Sequence, residues 1–305
     1  MGTPPSVFLC YRRADEPFAA ALLGVTLQEL LGAGNVFLDT LSLRSRVRFE
    51  AELLGRAGET AVLLVLAGKS WDRGENRARL TEDDDWVRRE IRTARAAGAR
   101  IVVVRVEREA ALDPPPDLGF LRDCEAVPLA RPHLAEHVRA VAERVAPGLP
   151  VTVALDRDTV QRAALAMVRH VLPGPQQSLE NDRTIARAVA GELGPGEWLR
   201  FAGAGRSRTR RPRGSGIVLL TDGEVRLVEL GEAAGPFDTG IRTIDVTHCP
   251  LRPGTTVELT PARLLWSARA DVHVRTPGHP PLSVLGMFPD PARLLRALAT
   301  PDGRA

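Results

Sequence analysis

Short apolar runs and helix-period stripes take turns along the first 146 residues. Val7-Phe8-Leu9-Cys10 is apolar without alternation, the pattern of a strand buried on both faces, and it ends in Tyr11-Arg12-Arg13. From about Glu16 to Leu31 the period changes. Leu22, Leu23, Leu27, Leu30 and Leu31 share one helical face, and Gly32 and Gly34 end the helix. Val36-Phe37-Leu38, closed by Asp39, predicts a second strand, residues 47–56 a helix, and Ala61 to Leu66 a third strand. A polar connection with Trp71 leads to a helix opened by Asp83-Asp84-Asp85. Ile101 to Val106 and Ala126 to Leu129 predict two more strands, separated by the Pro114-Pro115-Pro116 loop, and Leu134, Val138, Val141 and Val145 mark a closing helix. Five alternations of strand and helix imply a parallel sheet with helices on both faces. Its ligand site is expected beyond the carboxyl ends of the strands, where Tyr11, Arg12, Arg13, Asp39 and the stretch from Gly68 to Trp71 fall.

The helix after Asp85 carries the most informative carboxylate. Val87, Ile91 and Ala94 form its buried stripe, while Trp86 and Glu90, four apart, lie one above the other. Glu90 therefore borders the apolar stripe beside an indole. A carboxylate so placed is partly desolvated, and it is either locked in an ion pair with a neighbour such as Arg12 or Arg92 or kept for chemistry. Asp83, Asp84 and Asp85 sit where a helix N-terminus favours negative charge.

The pattern changes after Pro147-Gly148-Leu149-Pro150. Two helices are expected at about Asp156 to Leu172 and Asp182 to Leu193, within a linker spanning 147–195. Strand signals then crowd together over 196–305: Trp198 to Ala202, Gly216 to Leu220, Glu224 to Leu230, Ile241 to His248, Thr255 to Leu259, Leu264 to Ala268 and Val272 to Arg275. Asp222-Gly223 reads as a tight hairpin turn, and a final helix from Asp290 to Ala299 is expected to bury Leu294, Leu295 and Leu298. Between the first two strands lies Arg206-Ser207-Arg208-Thr209-Arg210-Arg211-Pro212-Arg213, without an acidic residue. It is read either as a solvated loop or as a surface in which Arg208, Arg210, Arg211 and Arg213 meet an anionic lipid, nucleic acid or nucleotide; the absence of interleaved aromatics argues against stacking on single-stranded nucleic acid.

Charge and cysteine usage sharpen this only a little. Residues 1–150 hold 21 basic and 22 acidic side chains, the remainder 20 and 16, so the basic excess belongs to the second half. Lys69 is the sole lysine, so the arginine content reflects a composition bias and by itself implies no nucleic acid. Cys10, Cys124 and Cys249 are isolated and lack metal-ligand spacing. With no basic-then-apolar segment at the start, they fit a reduced, cytoplasmic protein without a metal. Gly-x-Gly-x-x-Gly, Walker and Gly-x-Ser-x-Gly motifs are absent, which removes the usual nucleotide-binding and triad enzymes.

Four motifs in order resemble the bacterial Toll/interleukin-receptor (TIR) domains: Val7 to Asp15 with its Tyr-Arg-Arg-x-Asp turn, Val36-Phe37-Leu38-Asp39, Leu63-Leu64-Val65-Leu66 with Trp71, and the Trp-x-x-x-Glu of Trp86 to Glu90. The resemblance covers 1–146 and implies a flavodoxin-like five-stranded fold that self-associates. In enzymatic relatives this glutamate is the catalytic residue of NAD⁺ glycohydrolysis, which assigns that role to Glu90, with NAD⁺ as substrate and no cofactor. Arg44-Ser45-Arg46 stands where relatives usually carry Pro-Pro-Gly, in a loop that governs assembly and access. The 196–305 region weakly resembles a pleckstrin-homology-like, mostly antiparallel α+β domain, a place for an anionic ligand, lipid or protein partner. Nicotinamide is already a cationic leaving group in NAD⁺, so one carboxylate facing an oxocarbenium-like ribose suffices. Tyr11, Trp71 or Trp86 would stack on a ring and Arg12 or Arg13 would pair with the pyrophosphate, while Asp39 either joins the site or caps its turn. The alternative is a non-catalytic TIR interaction or scaffold protein in signalling.

Overall fold

The computed structural model describes residues 6–12, 15–38, 54–148, 199–207, 215–232, 241–261 and 270–287, with scattered positions in 153–197 and 292–299. The chain divides into two compact units, Met1–Ala163 and Ala164–Ala305; the division falls inside the expected helical linker.

In the first unit β1 (Val7–Tyr11), β2 (Val36–Leu38), β3 (Val62–Ala67), β4 (Arg100–Val106) and β5 (Glu125–Leu129) form a sheet of order β2-β1-β3-β4-β5. Every pairing is parallel. All six residues of β3 are buried because helices cover both faces, which explains a continuous apolar run without alternation. The helices are α1 (Pro17–Leu31), α2 (residues 54–59), α3 (Gly74–Leu80), α4 (Trp86–Ala96) and α5 (Leu134–Val145). Strand order runs one way from β1 to β2 and the other way from β3 to β5. Right-handed crossovers then place α1 and α5 on one face and α4 on the other. Accordingly α1 touches β1, β2 and α5, while α4 touches β1, β3 and β4.

Phe8, Cys10, Leu63, Val65 and Val103 meet Val87, Ile91 and Ala94 of α4 in one core layer. α1 is buried around more of its circumference than the expected leucine stripe, since Ala19, Ala20 and Ala21 are also inside. It stops at Gly32, whose φ of 88° suits a residue without Cβ. α3 escaped the periodicity reading because Leu80 is its sole buried residue. Of the helix expected at 47–56, residues before 54 lie outside the described ones.

The second unit holds seven antiparallel strands in the order β10-β11-β12-β6-β7-β8-β9. They are β6 (Leu199–Ser207), β7 (Ser215–Thr221), β8 (Glu224–Glu232), β9 (Ile241–Pro250), β10 (Thr256–Pro261), β11 (Ala270–Arg275) and β12 (Leu282–Met287). Asp222-Gly223 links β7 to β8 with Leu220 opposite Val225, the two-residue hairpin expected. Two meanders are joined where β12 pairs with β6. Phe201, Leu220, Val225, Cys249, Val272, Val274, Val284 and Met287 form the core with Ala292, Leu295 and Ala299 of the closing helical segment. The expected strand at Leu264 to Ala268 lies outside the described residues, as do Leu294 and Leu298. β12 was missed: its six residues follow Pro280-Pro281 and include Gly286, breaker signals that hide a short alternating run. Among the described residues no helix is long and apolar enough to cross a membrane.

Candidate functional site

The reversal of strand order lies between β1 and β3, so their carboxyl ends define the crevice where a doubly wound fold binds ligands. Glu90 reaches this place from α4. The helix starts at Trp86 because the Asp85 side chain accepts the Arg88 backbone N–H at 3.0 Å, an N-cap worth about 0.5–2 kcal/mol. From that start, Val87, Glu90, Ile91 and Ala94 all turn inward. Glu90 is the charged member of the buried stripe, at 2% exposure. Only the last of the three aspartates caps: Asp83 pairs instead with Arg88 at 2.8 Å, and Arg88 also reaches Asp117 at 2.9 Å.

Arg12, at the end of β1, is bound to Asp85 and so is not spent on Glu90. Its Nη2 donates to Asp85 Oδ1 at 2.9 Å and Oδ2 at 3.0 Å, with both side chains buried. Asp85 thus holds the helix start and the strand end together. Arg12 Nε has no hydrogen-bond partner among the described residues, an unusual state for a buried donor. Cys10, two residues earlier and on the α4 side of β1, donates its S–H to the Val87 backbone carbonyl at 3.9 Å. Its thiol pKa is raised well above the ordinary value, first by burial and then by the Glu90 charge, with Arg12 opposing.

A second clamp fixes the loop after β3. Asp15, fully buried, accepts from Gly68 N at 2.6 Å, Ser70 N at 3.1 Å and Ser70 Oγ at 2.9 Å. Behind it Arg108 forks onto Asp72 at 2.7 and 2.9 Å and donates to Gly68 O at 3.1 Å, tying the β3 and β4 loops. A Cβ on Gly68 would fall 2.7 Å from both Asp15 oxygens and closer still to Glu16 Cγ. Gly68→Ala is therefore expected to lose about 1–3 kcal/mol of stability by overpacking, read as a lower denaturation midpoint, whereas Lys69→Ala beside it changes the midpoint little.

The structure brings Glu90, Arg12 and Tyr11 to one edge of the sheet, with Tyr11 half-buried. Trp86 is half-buried, and the Arg89 guanidinium lies over its ring at 4.5 Å from the centroid, so a cation already covers one face. Trp71 needs a correction. It is 0% exposed within the core, so it packs against neighbours and presents no ring face to a ligand. Arg13, Asp39, Arg44, Ser45 and Arg46 lie outside the described residues, as do Arg208, Arg210, Arg211 and Arg213.

Cys10 and the Asp72–Arg108 pair were given no role from the sequence, whereas Asp15 was placed in the Tyr-Arg-Arg-x-Asp turn. Asp85 was expected at the helix start, as the last acid before an apolar stripe. A cleft of about 240 Å³ lies at the opposite, amino edge of β1 and β2, lined by Phe8, Phe37, Arg56 and Thr60 among others, far along the strands from this chemistry. Among the described residues no cluster of His, Cys, Asp and Glu could hold a metal ion.

A parallel sheet of order 2-1-3-4-5 with polar side chains gathered at its switch point defines a doubly wound, flavodoxin-like domain. Residues 7–142 match the family model for the TIR domain, and this part of the chain belongs to that family. No curated protein matches the sequence at a significant level. Among solved structures, that of a β-glucosidase from Listeria innocua in complex with isofagomine is similar at 11% identity over 94% of this chain and 46% of that one, with a TM-score of 0.27. The chain spans under half of that protein's length, and a likeness at this level carries no argument.

Proposed function

We propose that the protein is an NAD⁺ glycohydrolase that self-associates through its TIR domain and serves a bacterial defence response. It would cleave the nicotinamide–ribose bond to give nicotinamide and ADP-ribose or a cyclic isomer. The observation that carries this reading is the burial of Glu90, a carboxylate with 2% exposure at the switch point of the sheet. Burial there is costly for a side chain that only decorates a helix. It is useful for one that must act electrostatically where water does not screen it.

In this reading Glu90 accepts hydrogen bonds from the hydroxyls of the nicotinamide ribose, and its charge stabilises the oxocarbenium-like ring. The C–N bond breaks with its electron pair on nicotinamide, which leaves neutral and needs no proton. Water then adds at the ribose carbon and releases a proton, or an adenine nitrogen adds and closes the cyclic product. Arg12 has spent Nη2 on Asp85, and its unpartnered Nε–H supports a contact with a substrate oxygen. Tyr11 and the open face of Trp86 are the remaining candidates to stack on a ring. Arg13, Asp39 and the loop Arg44-Ser45-Arg46 keep the roles the resemblance implies: pyrophosphate, turn or site, and assembly.

The deciding experiment is nicotinamide release from NAD⁺ by concentrated protein, with the nucleotide product identified. Absence of release together with self-association would support the scaffold reading instead. If assembly completes the site, specific activity rises with protein concentration, and substitutions at Arg44 or Arg46 change that dependence more than they change unfolding. A rate per protomer independent of concentration counts against assembly.

The meander order of the second unit supports reading it as pleckstrin-homology-like, with an anionic partner at Arg208, Arg210, Arg211 and Arg213. Binding of the full chain to anionic vesicles should then weaken steeply with salt and again when those four arginines become Ser. Salt-independent binding would remove this proposal.

A further inference from the structure

The cleft at the amino edge of β1 and β2 lies at the other end of the strands from Glu90, and the chemistry above makes no use of it. Phe8 and Phe37 are register partners on adjacent strands, so both side chains fall on the α4 side of the sheet. Their ring centroids stand 5.1 Å apart, with the planes tilted by 32°. β2 is the end strand, so Phe37 has no further strand beside it and stays half-buried. The walls come from two connections: Gly34 and Asn35 precede β2, and α2 brings Arg56 and Glu59 to the same opening.

Arg56 and Glu59 are exposed and three apart on α2, a spacing at which opposite charges can pair. They do not. Among the described residues neither side chain makes an ion pair or a hydrogen bond, and the Arg56 guanidinium instead lies over the Phe37 ring, 5.7 Å from its centroid. The Asn35 amide donates to the Leu31 carbonyl at 2.6 Å, which fixes the side chain and leaves its oxygen as a further acceptor. The cleft therefore offers one positive and one negative group beside an apolar floor of Val7, Phe8, Val36 and Phe37. At about 240 Å³ it falls below the roughly 300–1,000 Å³ of sites for drug-sized ligands, so a dinucleotide does not fit. A bare anion would meet Glu59, and a bare cation would meet Arg56. The complementary ligand is small, carries both charges and has an apolar side chain.

We propose that this cleft is a binding site for a zwitterionic α-amino acid with an apolar side chain: its carboxylate faces Arg56, its ammonium faces Glu59 and Asn35, and its side chain rests on Phe37. Binding here does not require NAD⁺ cleavage, since the cleft shares no residue with the switch point. Gly34 supplies a way to close it. Nothing lies within 4 Å of where a Gly34 Cβ would stand, and its φ is outside the left-handed region, so Gly34→Leu adds a side chain at the opening without strain.

The test titrates the full chain with L-phenylalanine, read by saturation-transfer NMR of the ligand and by calorimetry. Wild type is expected to bind, Arg56→Gln and Glu59→Gln each to bind about three- to tenfold more weakly, and Gly34→Leu to lose binding. Two probes that lack one charge separate zwitterion recognition from simple partition into an apolar groove. 2-Phenylethylamine, without a carboxylate, should not be weakened by Arg56→Gln, and 3-phenylpropionate, without an ammonium, should not be weakened by Glu59→Gln. Both should bind wild type less tightly than L-phenylalanine does. Circular dichroism of each variant should match wild type, because Arg56, Glu59 and Gly34 are exposed. Failure of both L-phenylalanine and L-leucine to bind at millimolar concentration overturns the assignment. So does equal binding of L-phenylalanine to wild type and the three variants, or binding of either single-charge probe as tight as that of the amino acid.

Discussion

Glu90→Gln is expected to fold as the parent does and to release nicotinamide about a hundred- to a thousand-fold more slowly. Gln is nearly isosteric and still bonds a ribose hydroxyl, so the substitution removes mainly the charge opposite the developing oxocarbenium. The loss should therefore appear in kcat and only weakly in KM. A structural role gives a different result. At 2% exposure the carboxylate is buried, and a purely structural Glu90 would turn the swap into a stability change of about 1–3 kcal/mol, with turnover of the folded fraction intact. Nicotinamide release after matched circular dichroism separates the two, and equal rates would end the case for Glu90 as the catalytic residue.

The chain announces its sheet more clearly than its site. β1 and β3 could be placed to within a residue or two because strands buried on both faces must be apolar throughout, and few other local structures demand that over so short a run. Glu90 was legible for a related reason. A charged residue at the spacing of a buried stripe breaks the pattern, and such a break marks either an ion pair or chemistry. α3 and β12 were not legible, because each carries too few buried positions for a period to emerge.

The long-range contacts of Cys10 and Arg12 were hidden for a stronger reason. Cys10 lies 77 residues from Val87 and Arg12 73 from Asp85, and local periodicity contains no information about which loops meet across a switch point. Sequence alone left Arg12 as a candidate partner of Glu90, whereas Asp85, already fixed as the N-cap, takes it instead. Trp71 shows the opposite error. The resemblance offers Trp71 as one of three rings that would stack on a ligand, but a residue of that size in a loop clamped by Asp15 and Arg108 is drawn into the core.

Asp85→Ala should be the most destabilising single change near this site, because it removes two supports at once. The Arg88 N–H loses its cap, and the Arg12 guanidinium is left buried without its carboxylate. An uncompensated buried charge of this kind costs about 3–5 kcal/mol, a large part of the roughly 5–15 kcal/mol that holds a domain folded. Asp85→Asn separates the two effects, since Asn is as good an N-cap but cannot neutralise Arg12. Adding Arg12→Met to Asp85→Asn removes the stranded charge and should recover much of the stability, as replacing both members of a buried pair often does. Both units contain tryptophan, so fluorescence mixes them. Hydrogen exchange of the β3 amides, buried in the first unit, isolates the relevant transition. The expected order of protection is wild type, then the double variant, then Asp85→Asn, then Asp85→Ala. If Asp85→Asn protects β3 as well as wild type does, the Arg12 pair contributes nothing and Asp85 acts only as a cap. Activity should follow a different order: the double variant regains its fold but lacks the Arg12 Nε–H offered to the substrate, so its KM stays raised while its β3 amides are protected again.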